Sequence, residues 1–85
     1  MAKSVHRRVT SLLHEVRPEL PRSSVTGSST LTDDLGFDSL SLMALAVRLH
    51  EEIGVDLAEL AARAADIRTV DDLIATVDGI SHARR

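Results

Sequence analysis

Residues 39 to 53, Ser-Leu-Ser-Leu-Met-Ala-Leu-Ala-Val-Arg-Leu-His-Glu-Glu-Ile, constrain the fold more than any other stretch of the chain. They read as one helix from Ser39 to Ile53, about 22 Å long at the usual rise. Gly54 follows where a left-handed C-terminal cap is expected. Projected at about 100° per residue, Leu42, Leu45, Ala46, Leu49 and Ile53 fall on one broad arc and are assigned to the core. Leu40, Met43 and Val47 lie on its flank, and Ser41, Ala44, Arg48, Glu51 and Glu52 occupy the opposite side. A stripe this wide needs more than one neighbour to cover it, so the helix is expected to be the central one.

The neighbours are legible by the same periodicity. Val5, Val9, Leu12, Leu13 and Val16 recur at helical spacing, with Lys3, Arg7, Arg8, Ser11 and Glu15 between them. Pro18 and Pro21 stop that helix, because proline brings no N–H and disfavours helical geometry in the residue before it. Residues 22 to 30 are small, polar and glycine-containing, a long surface loop. Val55 to Asp66, with Leu57, Leu60, Ala61, Ala62, Ala64 and Ala65, reads as a short helix or an irregular turn. Thr69 and Asp72 form a capping box with Asp in the usual Glu place. The helix they open carries Val70, Leu73, Ile74 and Val77 and is expected to end near Gly79. The expected fold is all-α, a four-helix bundle with a short third helix and a long loop between the first and second.

Size and composition agree. Eighty-five residues make one domain, 1–85, with a folded core over about 3–80 and a flexible tail at 81–85. So small a chain buries only about 60% of its unfolded surface, so the core is thin. A hydrophobic fraction of 44% with one aromatic, Phe37, implies an aliphatic core and favours helices over a β-sandwich. The absence of cysteine excludes disulfides, thiolate zinc sites and a cysteine nucleophile. A net charge of -3 argues against nucleic acid as a partner. Lys3, Arg7 and Arg8 precede no apolar run, so they do not form a secretory signal. No segment approaches the roughly 20 apolar residues that span a bilayer. A cytoplasmic monomer without membrane contact is expected.

Gly36 and the acidic Asp38 deliver Ser39 to the first turn of the second helix. Backbone N–H groups there have no partner inside the helix, and the positive end of the helix dipole favours an anion. A phosphate hung from a hydroxyl would suit the position; an ordinary capping serine would suit it too. A hydrolase elbow does not fit, because Phe37 and Ser41 stand where glycines would be. Nothing in the spacing of His6, His14, His50 and His82 singles out a catalytic partner. His50-Glu51-Glu52-Ile53-Gly54 begins like a zinc-binding helix, but Gly54 replaces the second histidine, so no metal site is expected. His50 falls near the apolar arc and reads as a partly buried histidine at the core edge.

The stretch Leu35-Gly36-Phe37-Asp38-Ser39-Leu40 resembles the prosthetic-group attachment motif of acyl carrier proteins. Asp33-Asp34 before it, Glu51-Glu52-Ile53-Gly54 closing the helix and Thr69-Val70-Asp71-Asp72-Leu73 extend the likeness over residues 5 to 80. The resemblance implies a 4'-phosphopantetheine arm, derived from coenzyme A, joined to Ser39 through a phosphodiester. It implies that the phosphopantetheinyl transferase and its divalent metal sit beside Asp38. Leu31 and Leu35 would anchor a first loop that reaches back across the bundle, and the linker over Val55 to Asp66 is slightly longer than the usual pattern. Leu40, Met43, Ala44, Val47, Arg48 and Glu51 would form the face that docks onto the transferase and onto acyl-loading, ketosynthase or other acyl-processing enzymes. The domain would not be an enzyme; it would carry acyl thioesters for its partners.

One departure redirects that expectation. Fatty-acid carriers are densely acidic on the docking face, whereas this chain offers Ser41, Ala44 and Arg48. The motif also resembles that of polyketide-synthase carriers and differs from the Gly-Gly-x-Ser pattern of peptide-synthetase carriers. A free-standing carrier of specialised metabolism is therefore expected, with an aliphatic interior suited to an apolar chain. The alternative is a helical adaptor that binds a partner non-covalently through Leu40, Met43 and Val47.

Overall fold

A computed structural model describes residues 2–21 and 25–83, and the second, third and fourth helices begin where local capping chemistry says they should. Helix α1, Ala2–Val16, buries Val9, Leu12 and Leu13 along one side, with Val5 and Val16 half-buried. The ladder closes with the Arg17 N–H on the Leu13 carbonyl at 3.0 Å. Pro18 then turns the chain away, as the residue before a proline resists helical geometry.

Helix α2, Ser39–Ile53, starts behind Asp38, whose carboxylate accepts the Ser41 N–H at 2.8 Å. It ends on Gly54 in the left-handed region, φ 82°, with the Gly54 N–H on the His50 carbonyl. Leu45 and Leu49 are buried, and Leu42, Ala46 and Ile53 pack half-buried around them. Helix α3, Leu57–Ala62, is capped by Asp56 and followed by a single 3-10 turn, Ala64–Asp66. Of its own side chains only Leu60 is buried, while the alanines of this linker are exposed. One apolar side chain per turn and a half gives little reason to prolong a helix.

Helix α4 spans Val70–Ala83. Thr69 and Asp72 exchange the reciprocal bonds of a capping box, Asp72 N–H to Thr69 Oγ1 and Thr69 N–H to Asp72 Oδ2, each at 3.1 Å. The expected end near Gly79 is corrected, since the helix runs through that glycine. Val70, Leu73, Val77 and Ile80 form one buried stripe, with Ile80 at 0% exposure. Burying such a side chain stabilises by about 1.5–3 kcal/mol, more than the roughly 1 kcal/mol a mid-helix glycine costs. Residues 81 to 83 are therefore helical, and residues 84 and 85 of the expected tail lie outside the described residues.

The helices close into a ring: α1 lies against α2 and α4, and α3 touches α2 and α4. Two neighbours cover α2 as its wide stripe requires, but α1 is flanked equally, so α2 is not the sole centre. The described part of the first loop crosses to α4 and is stitched there. Leu31 N–H donates to the Arg68 carbonyl, Val70 N–H to Ser29 and Asp71 N–H to Gly27, at 2.9, 3.0 and 2.9 Å. An isolated antiparallel bridge pairs Thr30 with Thr69, and no strand forms among the described residues. Loop carbonyls thus satisfy N–H groups that the first turn of α4 would leave unpaired. Residues 22 to 24 of the loop lie outside the described residues. Leu31 and Leu35 are buried anchors, and Phe37 is buried with them at 1% exposure. The expectation of a purely aliphatic core is corrected by that one ring. Among the described residues no helix is long and apolar enough to cross a membrane.

Candidate functional site

The turn before α2 is built from its own polar groups. Thr30 N–H donates to Asp34 Oδ2 at 2.8 Å and Asp34 N–H to Thr30 Oγ1 at 2.9 Å, a reciprocal box that folds residues 31 to 35. Within it Leu35 N–H reaches the Thr30 carbonyl, Gly36 N–H the Thr32 carbonyl and Phe37 N–H the Leu31 carbonyl, at 3.1, 3.1 and 2.8 Å. Gly36 has φ 71°, a conformation that costs any residue with a Cβ. Phe37 drops into the core, and Asp38 takes an extended backbone, φ −94° and ψ −176°, that brings Ser39 out exposed at the head of α2.

Asp38 is held below the ordinary carboxylate range, first by the Ser41 backbone N–H and then by the Ser41 hydroxyl, with the positive charge of Arg17 adding to both. It is ionised at neutral pH. Because the Ser41 N–H is taken by this cap, the N–H groups of Ser39 and Leu40 remain to face an anion at the helix start. An exposed hydroxyl at the positive end of a fifteen-residue helix fits a phosphodiester: it is reachable, and the local field favours the negative charge that arrives.

Beyond Ser39, Leu40, Met43 and Val47 are 76%, 67% and 45% exposed, and Ala44 is exposed beside them. The charged residues expected on the same face are otherwise engaged. Arg48 pairs through Nη2 with Glu15 of α1 at 2.7 Å, and through Nη1 with Glu51 and Glu52 at 3.0 and 3.3 Å. Its guanidinium is held charged chiefly by Glu15, then Glu51. The structure therefore splits the expected face into an open apolar part and a charged part that ties α2 to α1. Arg8 of α1 adds a second tie, to the Glu52 carbonyl.

A cleft of about 290 Å3 opens between residues 30 to 33, α2 and α3. Leu45, Ala46, Leu49 and Leu60 line its depth, and Met43 and Leu57 its side toward the exposed face. His50 does not sit at the core edge as expected. It is exposed, with Nδ1 2.9 Å from the Val55 carbonyl. A carbonyl only accepts, so Nδ1 is the donor in this contact. Among the described residues no group of His, Cys, Asp or Glu is arranged to hold a metal ion.

Two residues that shape the site were missed by sequence reasoning. Arg17 reaches from the end of α1 to the Gly36 carbonyl, Nη1 to O at 2.8 Å, and nothing local in the sequence signals it. Phe37 had a signal, being the single aromatic in an aliphatic chain.

Residues 7–77 match the family described as "Phosphopantetheine attachment site". The chain is 34% identical over 55 residues to an acyl carrier protein of Thermobifida fusca, covering 65% of this chain and 67% of that one. Against an acyl carrier protein of Kineococcus radiotolerans it is 36% identical over 58 residues, 68% of this chain and 69% of the relative.

Proposed function

The chain belongs to the phosphopantetheine-attachment family of acyl carriers, and from that premise we propose that its covalent prosthetic group is carried on Ser39. The carrying observation is the exposed Ser39 hydroxyl in the first turn of α2, directly behind the ionised cap Asp38. When attached, the arm supplies a terminal thiol on which an acyl group is held as a thioester. The chain's own contribution is to present that hydroxyl to the transferase and then to present the arm to successive enzymes. Tethering raises the local concentration of cargo at each partner site, which is the energetic reason to use a carrier at all.

The docking surface proposed is the open flank of Leu40, Met43, Ala44 and Val47, with Glu51 at its charged margin. Arg48, neutralised by three glutamates, contributes no free positive charge there. A flank poor in acids and rich in exposed aliphatics supports polyketide or other specialised partners over a general fatty-acid synthase. Complementary charge sets partner choice and encounter rate more than affinity. Leu45, Ala46 and Leu49 lining the cleft support transient shelter of a short apolar cargo. Amide shifts at these three residues that change with acyl length would bear this out, and their constancy would reject it.

Exposure of Leu40 and Met43 also supports a non-covalent adaptor, and one experiment separates the two readings. Intact mass is recorded before and after incubation with coenzyme A and a broad-specificity phosphopantetheinyl transferase, with Ser39→Ala in parallel. One phosphopantetheine-sized increase in the wild type, absent from Ser39→Ala, is the expected result. No increase with several transferases would sink attachment at Ser39 and favour the adaptor. Elongation of the malonyl-loaded holo form by a polyketide ketosynthase in preference to a fatty-acid ketosynthase is the outcome expected of the specialised subtype.

A further inference from the structure

We infer that Arg17 is a positioning residue for the loading of Ser39, acting through the carbonyl of Gly36; the inference rests on Ser39 being the attachment point. Arg17 is the first residue after α1, and its guanidinium joins the end of that helix to the turn before α2. Nη1 donates to the Gly36 carbonyl at 2.8 Å, and Nε meets Glu19 Oε2 at 2.5 Å. Glu19 is itself held ionised, by its own backbone N–H first and by Arg17 next. The guanidinium is therefore oriented from one side by a carboxylate and presented on the other to the turn. A planar fork with fixed donor directions suits that task better than a flexible ammonium.

Gly36 is the residue where such a hold matters. Its N–H is tied to the Thr32 carbonyl at 3.1 Å and its carbonyl to Arg17, so both sides of the residue are fixed at a φ of 71°. Among the described residues, the Arg17 bond is the one hydrogen bond to Gly36 or Phe37 that comes from outside the turn. Three residues further on stands the Ser39 hydroxyl. The buried Phe37 ring fixes where the turn sits, and Arg17 fixes how its peptide plane is rotated. That rotation sets the direction in which α2 and its first hydroxyl emerge. Arg17 makes no ion pair with Asp38, but its positive charge is felt there.

Loading is a phosphoryl-type transfer, in which alignment of the attacking oxygen governs the rate. The Ser39 oxygen bonds to the phosphorus that bears the pantetheine portion of coenzyme A. The bond from that phosphorus to the bridging pyrophosphate oxygen breaks, and 3',5'-ADP leaves with the electron pair. The hydroxyl proton passes to a base of the transferase or to water. Misplacing a reacting group by about 1 Å can cost on the order of a hundredfold in such a step. A loosened Gly36 peptide is expected to act in that direction while leaving the docking flank on α2 unchanged.

The test uses the full chain, coenzyme A and a phosphopantetheinyl transferase, with loading followed by intact mass. Arg17→Gln is expected to lower kcat about tenfold while KM for the carrier stays within about twofold. Arg17→Lys, which keeps one donor for the Gly36 carbonyl, should recover much of that loss. Arg7→Gln, an exposed charge removed elsewhere on α1, should load like the wild type. Amide shifts of Gly36 to Ser39 should move in both Arg17 variants while those of α4 stay in place. Unchanged kcat in Arg17→Gln, a raised KM with kcat intact, or an equal loss in Arg7→Gln would each overturn the inference. Should Arg17→Gln fail to fold, the kcat and shifts of Arg17→Lys decide it; a chain unfolded even as Arg17→Lys has only a structural arginine. A wild type that is not loaded at all would remove the attachment reading and this inference with it. A wild type and Arg17→Gln that load alike would remove this inference alone.

Discussion

Gly36 carries the site at the scale of a single residue. With φ 71° it sits where a Cβ is penalised, although the space itself is open, the nearest atom being Arg17 Nη2 at 3.6 Å. The cost of Gly36→Ala is therefore conformational, about 1–2 kcal/mol, read as a lower urea midpoint with an unchanged slope. Slower loading should accompany it, because the strain falls on the turn that aims Ser39. A midpoint equal to the wild type would show that the turn relaxes without cost. Caps and turns of this kind were legible in advance. Asp38, Gly54 and the Thr69–Asp72 pair each act within four residues of their own position. What stayed hidden at this scale was Arg17, because its partner lies 19 residues away and any polar surface could have received it.

Among the elements, α2 and α4 divide their apolar residues differently. On α4 the stripe from Val70 to Ile80 is wholly consumed by packing. Ile80→Ala is therefore expected to cost about 2–5 kcal/mol, measured by chemical unfolding. A helix ending near Gly79 would predict almost no effect, so this substitution tests the extension directly. On α2 only part of the apolar surface is consumed. Met43→Ser, at 67% exposure, should shift stability by no more than about 0.5 kcal/mol. The same change should lower kcat/KM of acyl-processing partners through KM. Unchanged kinetics with every partner would remove Met43 from the docking flank. The periodicity that found both helices could not separate these cases. A flank beside the core arc reads the same whether a neighbour covers it or solvent does.

The stability of the whole molecule depends in part on two carboxylate caps, one at the start of α2 and one at the start of α4. Asp38 is lowered by Ser41, and Asp72 by the Thr69 and Arg68 N–H groups. Both groups bind protons less readily in the folded chain than in the unfolded one. The stabilisation they provide is therefore complete above the unfolded carboxylate value, about pH 4, and is lost as the pH falls below it through the lower folded values. A thermal midpoint that is flat from neutral pH to about 5 and falls toward 3 is expected. The Asp72 cap also supports the stitching of the first loop to α4, so amide protection at Leu31 and Val70 should fall over the same range. A midpoint unchanged down to pH 3 would contradict this account.

Sequence alone determined the class of the fold with its four helices, the starts of α2 and α4, and the placement of Ser39 in the first turn of α2. These rest on caps and on 3.6-residue periodicity, which act between near neighbours and need no knowledge of the rest of the chain. Tertiary structure alone decided that Phe37 enters the core and that α4 continues past Gly79 to bury Ile80. It also decided that Arg48 closes on Glu15 instead of facing a partner, and that Arg17 grips Gly36. Each of those outcomes depends on which distant surfaces meet. A side chain's local pattern states what it can bury or bond, and only the packed chain states which partner is within reach.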